Sequence, residues 1–257
     1  MQTFGLRHLL NKQAPEDRMD TLRVWRIALA VTLGIGLLKH LPLAAGLAGL
    51  AAAATQLYLP LRYALTAPGG DDGIGYNLDG LKRDLPIILA ILLLTCIPFW
   101  FAHEWWWTWQ GVADGSGSKL LLPASDLADW LRQRGVRWTT LLQSLALLEL
   151  SAIHLLGVAL PEELFYRGFL QPRLCRSFKD RKLAWGFVWN HGILIAAILF
   201  AAAHFLGEYN PARLAPFFPA LLFGMLRRRS GSIAGAVLLH GAFNIVGALL
   251  FAGVIGR

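Results

Sequence analysis

The sequence predicts an all-α protein, a polytopic bundle of about seven transmembrane helices (six to eight). Three observations lead there. Apolar residues make up 56% of the 257 residues, more than an ordinary soluble domain carries. They fall in long blocks, and a bilayer core takes about 20 such residues per helix. The alternation expected of strands is missing, and in lipid a backbone must satisfy its own hydrogen bonds, which helices do within one segment. Residues 1–257 therefore read as a single integral membrane domain.

The first apolar block is Val24–Leu38 and the second Leu41–Tyr63, separated by Lys39 and Pro42. Residues 1–21 are polar and show no secretory-signal pattern, so the first block is expected to remain as a helix. A Gly- and Asp-rich loop, Pro68–Asp84, precedes a third block at Leu85–Phe101. His103–Trp138 is mixed. Its indole cluster, HEWWWTWQ, reads as an interfacial belt, and Ser125–Arg137 as a short amphipathic surface helix. The fourth block runs from Thr139 past Leu170, too long for one perpendicular span, so Pro161 is expected to kink or restart it. A basic run follows (Arg173, Arg176, Lys179, Arg181, Lys182). The fifth block is Leu183–Phe205, the sixth Leu214–Leu226, ending at Arg227–Arg229, and the seventh Ile233–Ile255.

The net charge of +8 sits in short segments between apolar blocks, which marks topology rather than a nucleic-acid partner. With the N-terminus in the cytoplasm, the inner segments hold Arg7, Lys12, Arg18, Arg23, Arg26, Arg62, Lys82, Arg83, the basic run 173–182 and Arg227–Arg229. The outer segments hold Lys39, Lys119, Arg132, Arg134, Arg137, Arg213 and Arg257. Cys96 and Cys175 have no CxxC spacing, so neither a disulfide framework nor a zinc-thiolate site is expected.

Ionisable groups inside spans are costly and point to function. The densest set is Pro161-Glu162-Glu163-Leu164-Phe165-Tyr166-Arg167. At i and i+4, Glu163 and Arg167 can pair on one helix face. Glu162 points about 100° away, toward a cavity. One carboxylate is thereby absorbed structurally and the other is not. In the fifth block, Phe200 and His204 share a face; in the seventh, His240 and Asn244 do. Each of these last two motifs alone also fits a helix-end histidine or an interhelical hydrogen bond. His154 and His191 lie in apolar runs too and are assigned no role. Threading the blocks through a bilayer places Glu162 nearer the inner face and His204 nearer the outer, so a shared site requires a broken span or an interfacial stretch within 172–190.

Taken together, Glu162-Glu163-xxx-Arg167, Phe200-xxx-His204 and His240-xxx-Asn244, in that order, resemble the CPBP family of CAAX proteases and bacteriocin-processing enzymes, also called Abi. The likeness covers roughly residues 140–250, the expected catalytic core, and the wording ALPEELFYRGFLQPRL is similar to the myxosortase branch. The resemblance implies a bacterial inner-membrane endopeptidase. Glu162 would be general base, His204 would help hold the water, and His240 and Asn244 would stabilise the oxyanion. Glu163, Arg167 and Phe200 would support them. No metal is expected, since HExxH is absent and Asn is a poor zinc ligand. The implied partners are the bilayer and a membrane protein or peptide substrate, such as a C-terminal sorting signal or lipidated tail. Three other readings stay open: a zinc protease using Glu162, His204 and His240, a transporter or binding protein whose buried Glu, His and Arg form a proton path, and a scaffold without turnover.

Overall fold

The computed structural model describes residues 15–40, 47–66, 74–109 and 145–255. Within them lie seven helices: α1 (Pro15–Leu38), α2 (Ala48–Thr66), α3 (Leu78–Trp109), α4 (residues 145–175), α5 (His191–Leu206), α6 (Phe217–Ser230) and α7 (Ala234–Ile255). The expectation of an all-α bundle holds. The proposed surface helix at Ser125–Arg137 lies outside the described residues.

Among the described residues, α3 is the one helix long and apolar enough to cross a bilayer unaided, over Leu78–Ala102; α5 and the Ala234–Leu250 part of α7 are apolar but shorter. Leu89, Leu93, Leu94, Ile97 and Trp100 of α3 are exposed, the behaviour of a helix whose solvent is lipid. Helix α1 carries Arg23 and Arg26 inside its length, and α4 carries Glu163 and Arg167.

The helices divide into two compact units, 1–81 with 161–236 and 82–160 with 237–257. The first has a core of Val24, Ala28 and Val31 from α1, Phe165, Phe169 and Leu174 from α4, Ala196, Ala197 and Phe200 from α5, and Ala220 from α6. In the second, Ile88, Leu150, Ala159 and Leu239 are buried, and a side chain at Gly241 would collide with Leu155. A glycine there lets α7 and the first half of α4 approach closely.

The fourth block, expected to run past Leu170, does so. Helix α4 continues to Cys175 because Gln171 and Arg173 have buried partners: Gln171 Nε2 donates to Gly224 O at 2.9 Å and Arg173 Nη1 to Phe169 O at 2.6 Å. The fifth helix, in contrast, does not begin at Leu183. Residues 181–189 form a small hairpin whose strands, β1 (Arg181–Lys182) and β2 (Val188–Trp189), pair antiparallel. Two-residue strands are too short to show an alternation in sequence.

Asn190 joins the hairpin to α5. Its Oδ1 accepts the Gly192 N–H at 2.8 Å as an N-cap. Its Nδ2 donates to Cys175 O (3.3 Å), Phe178 O (3.1 Å) and Asp180 Oδ1 (2.8 Å). Partial burial works against the Asp180 carboxylate, but hydrogen bonds from Arg228 and Asn190 and the Arg228 charge outweigh it and hold the carboxyl below its usual range. A β-carbon at Gly192 would lie 2.6 Å from Cys175 N and 2.8 Å from Leu174 C, so α4 and α5 meet backbone to backbone there.

Asn190→Ala is expected to destabilise the protein by about 1–2 kcal/mol through loss of the cap, and Gly192→Ala by about 1–3 kcal/mol through overpacking. Chemical unfolding in detergent measures both. Unchanged midpoints would show that this junction does not hold α4 to α5.

Candidate active site

The carboxylate motif is set within an unusual stretch of helix. Two π-helical segments, Ile153–Ala159 and Leu164–Leu170, flank a four-residue α-helical segment, Leu160–Glu163. The wide turns close with Leu160 N–H to Leu155 O and Gln171 N–H to Tyr166 O. Pro161 has no N–H to give Gly157, and the first wide turn lies just before it. The helix therefore passes through Pro161 without the restart that the sequence raised. Such segments recur at functional sites.

Glu163 and Arg167 pair, with Arg167 Nη1 donating to Glu163 Oε1 at 2.9 Å; both side chains are at most 1% exposed. Arg167 Nη2 donates to Ala220 O in α6 at 3.1 Å. Its guanidinium lies 4.6 Å from the Phe200 ring centroid and 5.3 Å from that of Phe223. Glu162, half-buried where Glu163 is fully buried, interacts electrostatically with both Arg167 and Tyr166.

His204 is half-buried at the last turn of α5. Its Nδ1 lies 3.0 Å from Phe200 O. A carbonyl only accepts, so Nδ1 carries the proton and Nε2 of the neutral ring carries the lone pair. Phe200 lies 4.5 Å from the His204 ring and 5.0 Å from Tyr166, centroid to centroid. One phenylalanine thus spaces the guanidinium from the imidazole.

The antiparallel register of α4 and α5 brings Glu162 and His204 to one level. Cys175 abuts Gly192. Eight residues back along α4 and eight forward along α5, Arg167 meets Phe200. One further turn on each helix reaches Glu163 and His204, with Glu162 beside them. This corrects the threading expectation, which put Glu162 and His204 near opposite faces. Threading left the end of the fourth block open past Leu170 and began the fifth at Leu183, eight residues before α5 starts at His191.

His240 and Asn244 belong to the second unit. They sit one turn apart on α7, His240 buried and Asn244 half-buried. His154, to which the sequence gave no role, interacts electrostatically with His240, and both its ring nitrogens are buried without a hydrogen-bond partner among the described residues. Neither unit by itself gathers three His, Cys, Asp or Glu side chains into a set fit for a metal ion among the described residues.

Residues 130–246 match the family model of the type II CAAX prenyl endopeptidase Rce1-like proteins, a span that contains all three motifs. No curated protein matches the chain, and no solved structure does.

Glu163→Gln leaves the Arg167 charge buried with one carboxylate fewer and is expected to cost about 3–5 kcal/mol. A compensated Glu163→Leu/Arg167→Met protein is expected to recover most of that. Equal unfolding midpoints for the single variant and the parent would contradict the buried pair.

Proposed function

Because residues 130–246 match the Rce1-like family model of CAAX endopeptidases, we propose that this protein hydrolyses a peptide bond in a membrane-associated protein or peptide by a glutamate-activated water. The observation that carries the reading is the α4/α5 register, which sets Glu162 level with His204 while Arg167 absorbs Glu163.

Glu162 takes a proton from the water as its oxygen attacks the scissile carbonyl carbon. His204 accepts the water's second hydrogen at Nε2 and orients it. The family resemblance gives His240 and Asn244, whose one-turn spacing suits a single acceptor, the hydrogen bonds to the oxygen of the tetrahedral intermediate. Glu162 then returns its proton to the leaving amine as the carbon–nitrogen bond breaks. Glu163, Arg167 and Phe200 hold Glu162 and His204 in place. No metal enters this scheme; the absence of HExxH and the poor zinc affinity of Asn support that assignment.

The site rests in a bacterial cell membrane with the N-terminus cytoplasmic. The first unit supports that orientation. Arg173, Arg176, Lys179, Arg181, Lys182 and Arg227–Arg229 gather where α4 and α6 end and α5 begins, offset by Asp180. The opposite end, where α1 and α5 finish, carries Lys39 and Arg213 against Glu208. A basic end is the cytoplasmic end.

Glu162→Gln is expected to lower kcat for membrane-tethered peptides about 10²–10⁴-fold in a protein that still folds. Asn244→Ala is expected to lose about 10²–10³-fold. Full activity in a folded Glu162→Gln protein would overturn the assignment. A strong chelator is expected to leave the wild-type rate unchanged, and chelator-sensitive turnover restored by Zn²⁺ would replace the scheme with a metal-assisted one.

A further inference from the structure

We infer that the site opens toward the extracytoplasmic face, and that its substrate is an exported, membrane-anchored polypeptide cut on that side rather than a lipidated tail presented from the cytoplasm. The inference rests on the peptidase reading and names its substrate class.

The first unit has two chemically different ends. At one, the hairpin between α4 and α5 exposes Arg181, Lys182 and Trp185, the last 84% exposed and held at φ 56°, with Arg229 Nε donating to the Trp185 carbonyl at 3.1 Å. Arg227, Arg228 and Arg229 close α6 at the same end. Lysine and arginine with an exposed indole are the composition of a cytoplasmic headgroup layer.

The other end has a different character. Helices α1 and α5 finish together there: His40 Nε2 meets Leu206 O at 2.7 Å, and Lys39 lies 3.9 Å from Glu208. His40 and Tyr209 stack with centroids 4.4 Å apart, and Phe218, at the start of α6, is 72% exposed. Aromatic rings with few cations fit the outer headgroup layer. The bundle ends therefore fall at opposite interfaces.

The depth of the motif follows from the helices. His204 lies two residues from the end of α5 at Leu206, and thirteen residues, roughly 20 Å, from its start at His191. Glu162 stands at the same level, thirteen residues back from the end of α4 at Cys175. In a hydrocarbon layer about 30 Å thick, a depth of roughly 20 Å from the basic end leaves about 10 Å, or two helical turns, to the aromatic face. A scissile bond carried by an exported segment meets them near its own headgroup layer. A cytoplasmic tail would have to be drawn across most of the bilayer, burying backbone groups without hydrogen-bond partners.

Two measurements test this in intact bacterial spheroplasts. In a Cys96→Ser/Cys175→Ser background, Ala212→Cys and Lys182→Cys are exposed to a membrane-impermeant maleimide, with Leu214→Cys and Ala184→Cys as a second pair. Ala212→Cys and Leu214→Cys are expected to label from outside, Lys182→Cys and Ala184→Cys only after lysis. Two single-span reporters are then co-expressed, one with its cleavable segment just outside the membrane and one with a lipidated segment just inside. Cleavage of the outer reporter alone, lost with Glu162→Gln, supports the inference. Reversed labelling, or Glu162-dependent cleavage of the inner reporter, overturns it while leaving the peptidase reading intact. Labelling as expected without Glu162-dependent cleavage of either reporter overturns the substrate class through the peptidase reading, with the sidedness of the bundle still established.

Discussion

The buried guanidinium of Arg167 ties three helices of the first unit together. It takes its charge balance from Glu163 on its own helix, a hydrogen-bond acceptor from the Ala220 carbonyl on α6, and an aromatic face from Phe200 on α5. A guanidinium presents five donors in a plane and cannot shed its proton. Moving α6 by even part of a turn would leave a buried donor without its acceptor, and moving α5 would take away the Phe200 face. Few hydrophobic contacts are so intolerant of sliding. The Gln171 bond to Gly224 O repeats the α4–α6 link one turn further along, so those two helices run parallel in fixed register with α5 antiparallel to both.

That rigidity separates two carboxylates adjacent in sequence. Glu163 is at the bottom of the Arg167 cage and is consumed there. Glu162, one residue earlier, leaves the cage by the 100° turn of an α-helix. The segment that carries them is α-helical for only four residues, between two π-helical stretches. A wide turn shifts the phase of everything beyond it, so the helix faces on either side of the motif are set separately. Phe200 serves both sides of this arrangement, since its ring covers Arg167 while its carbonyl fixes the His204 tautomer.

Much of this was legible in the sequence, for physical reasons. Glu163 and Arg167 are four residues apart, and helical geometry alone brings them together. Charges in apolar blocks mark function because lipid makes them expensive, and that drew attention to the motifs. What the sequence concealed were the ends of helices. Arg173 looked like the start of a polar loop, yet it is 3% exposed, stacked on Tyr63 with 4.0 Å to the ring centroid. An arginine buried against an aromatic ring from a distant helix has no local signature. Asn190 did carry one, since Asn before an apolar run is an N-cap signal. It was masked by Leu183, Trp185 and Trp189, which extend the apolar run but lie in a hairpin. His154 was passed over because an isolated histidine shows nothing until its neighbour on α7 is known.

The helix ends matter because they set depth. In an antiparallel pair joined by a tight connection, residues equally distant from the connection share a level. Beginning α5 at Leu183, with the end of α4 left open past Leu170, placed the connection at the wrong residues and scattered the motif across the bilayer. With α4 ending at Cys175 and α5 beginning at His191, thirteen residues on each side reach Glu162 and His204. The same junction carries the basic hairpin. The distance of the motif from the basic end, and hence its approach to the opposite face, are therefore one geometric fact fixed by where Asn190 caps α5 and where α4 stops.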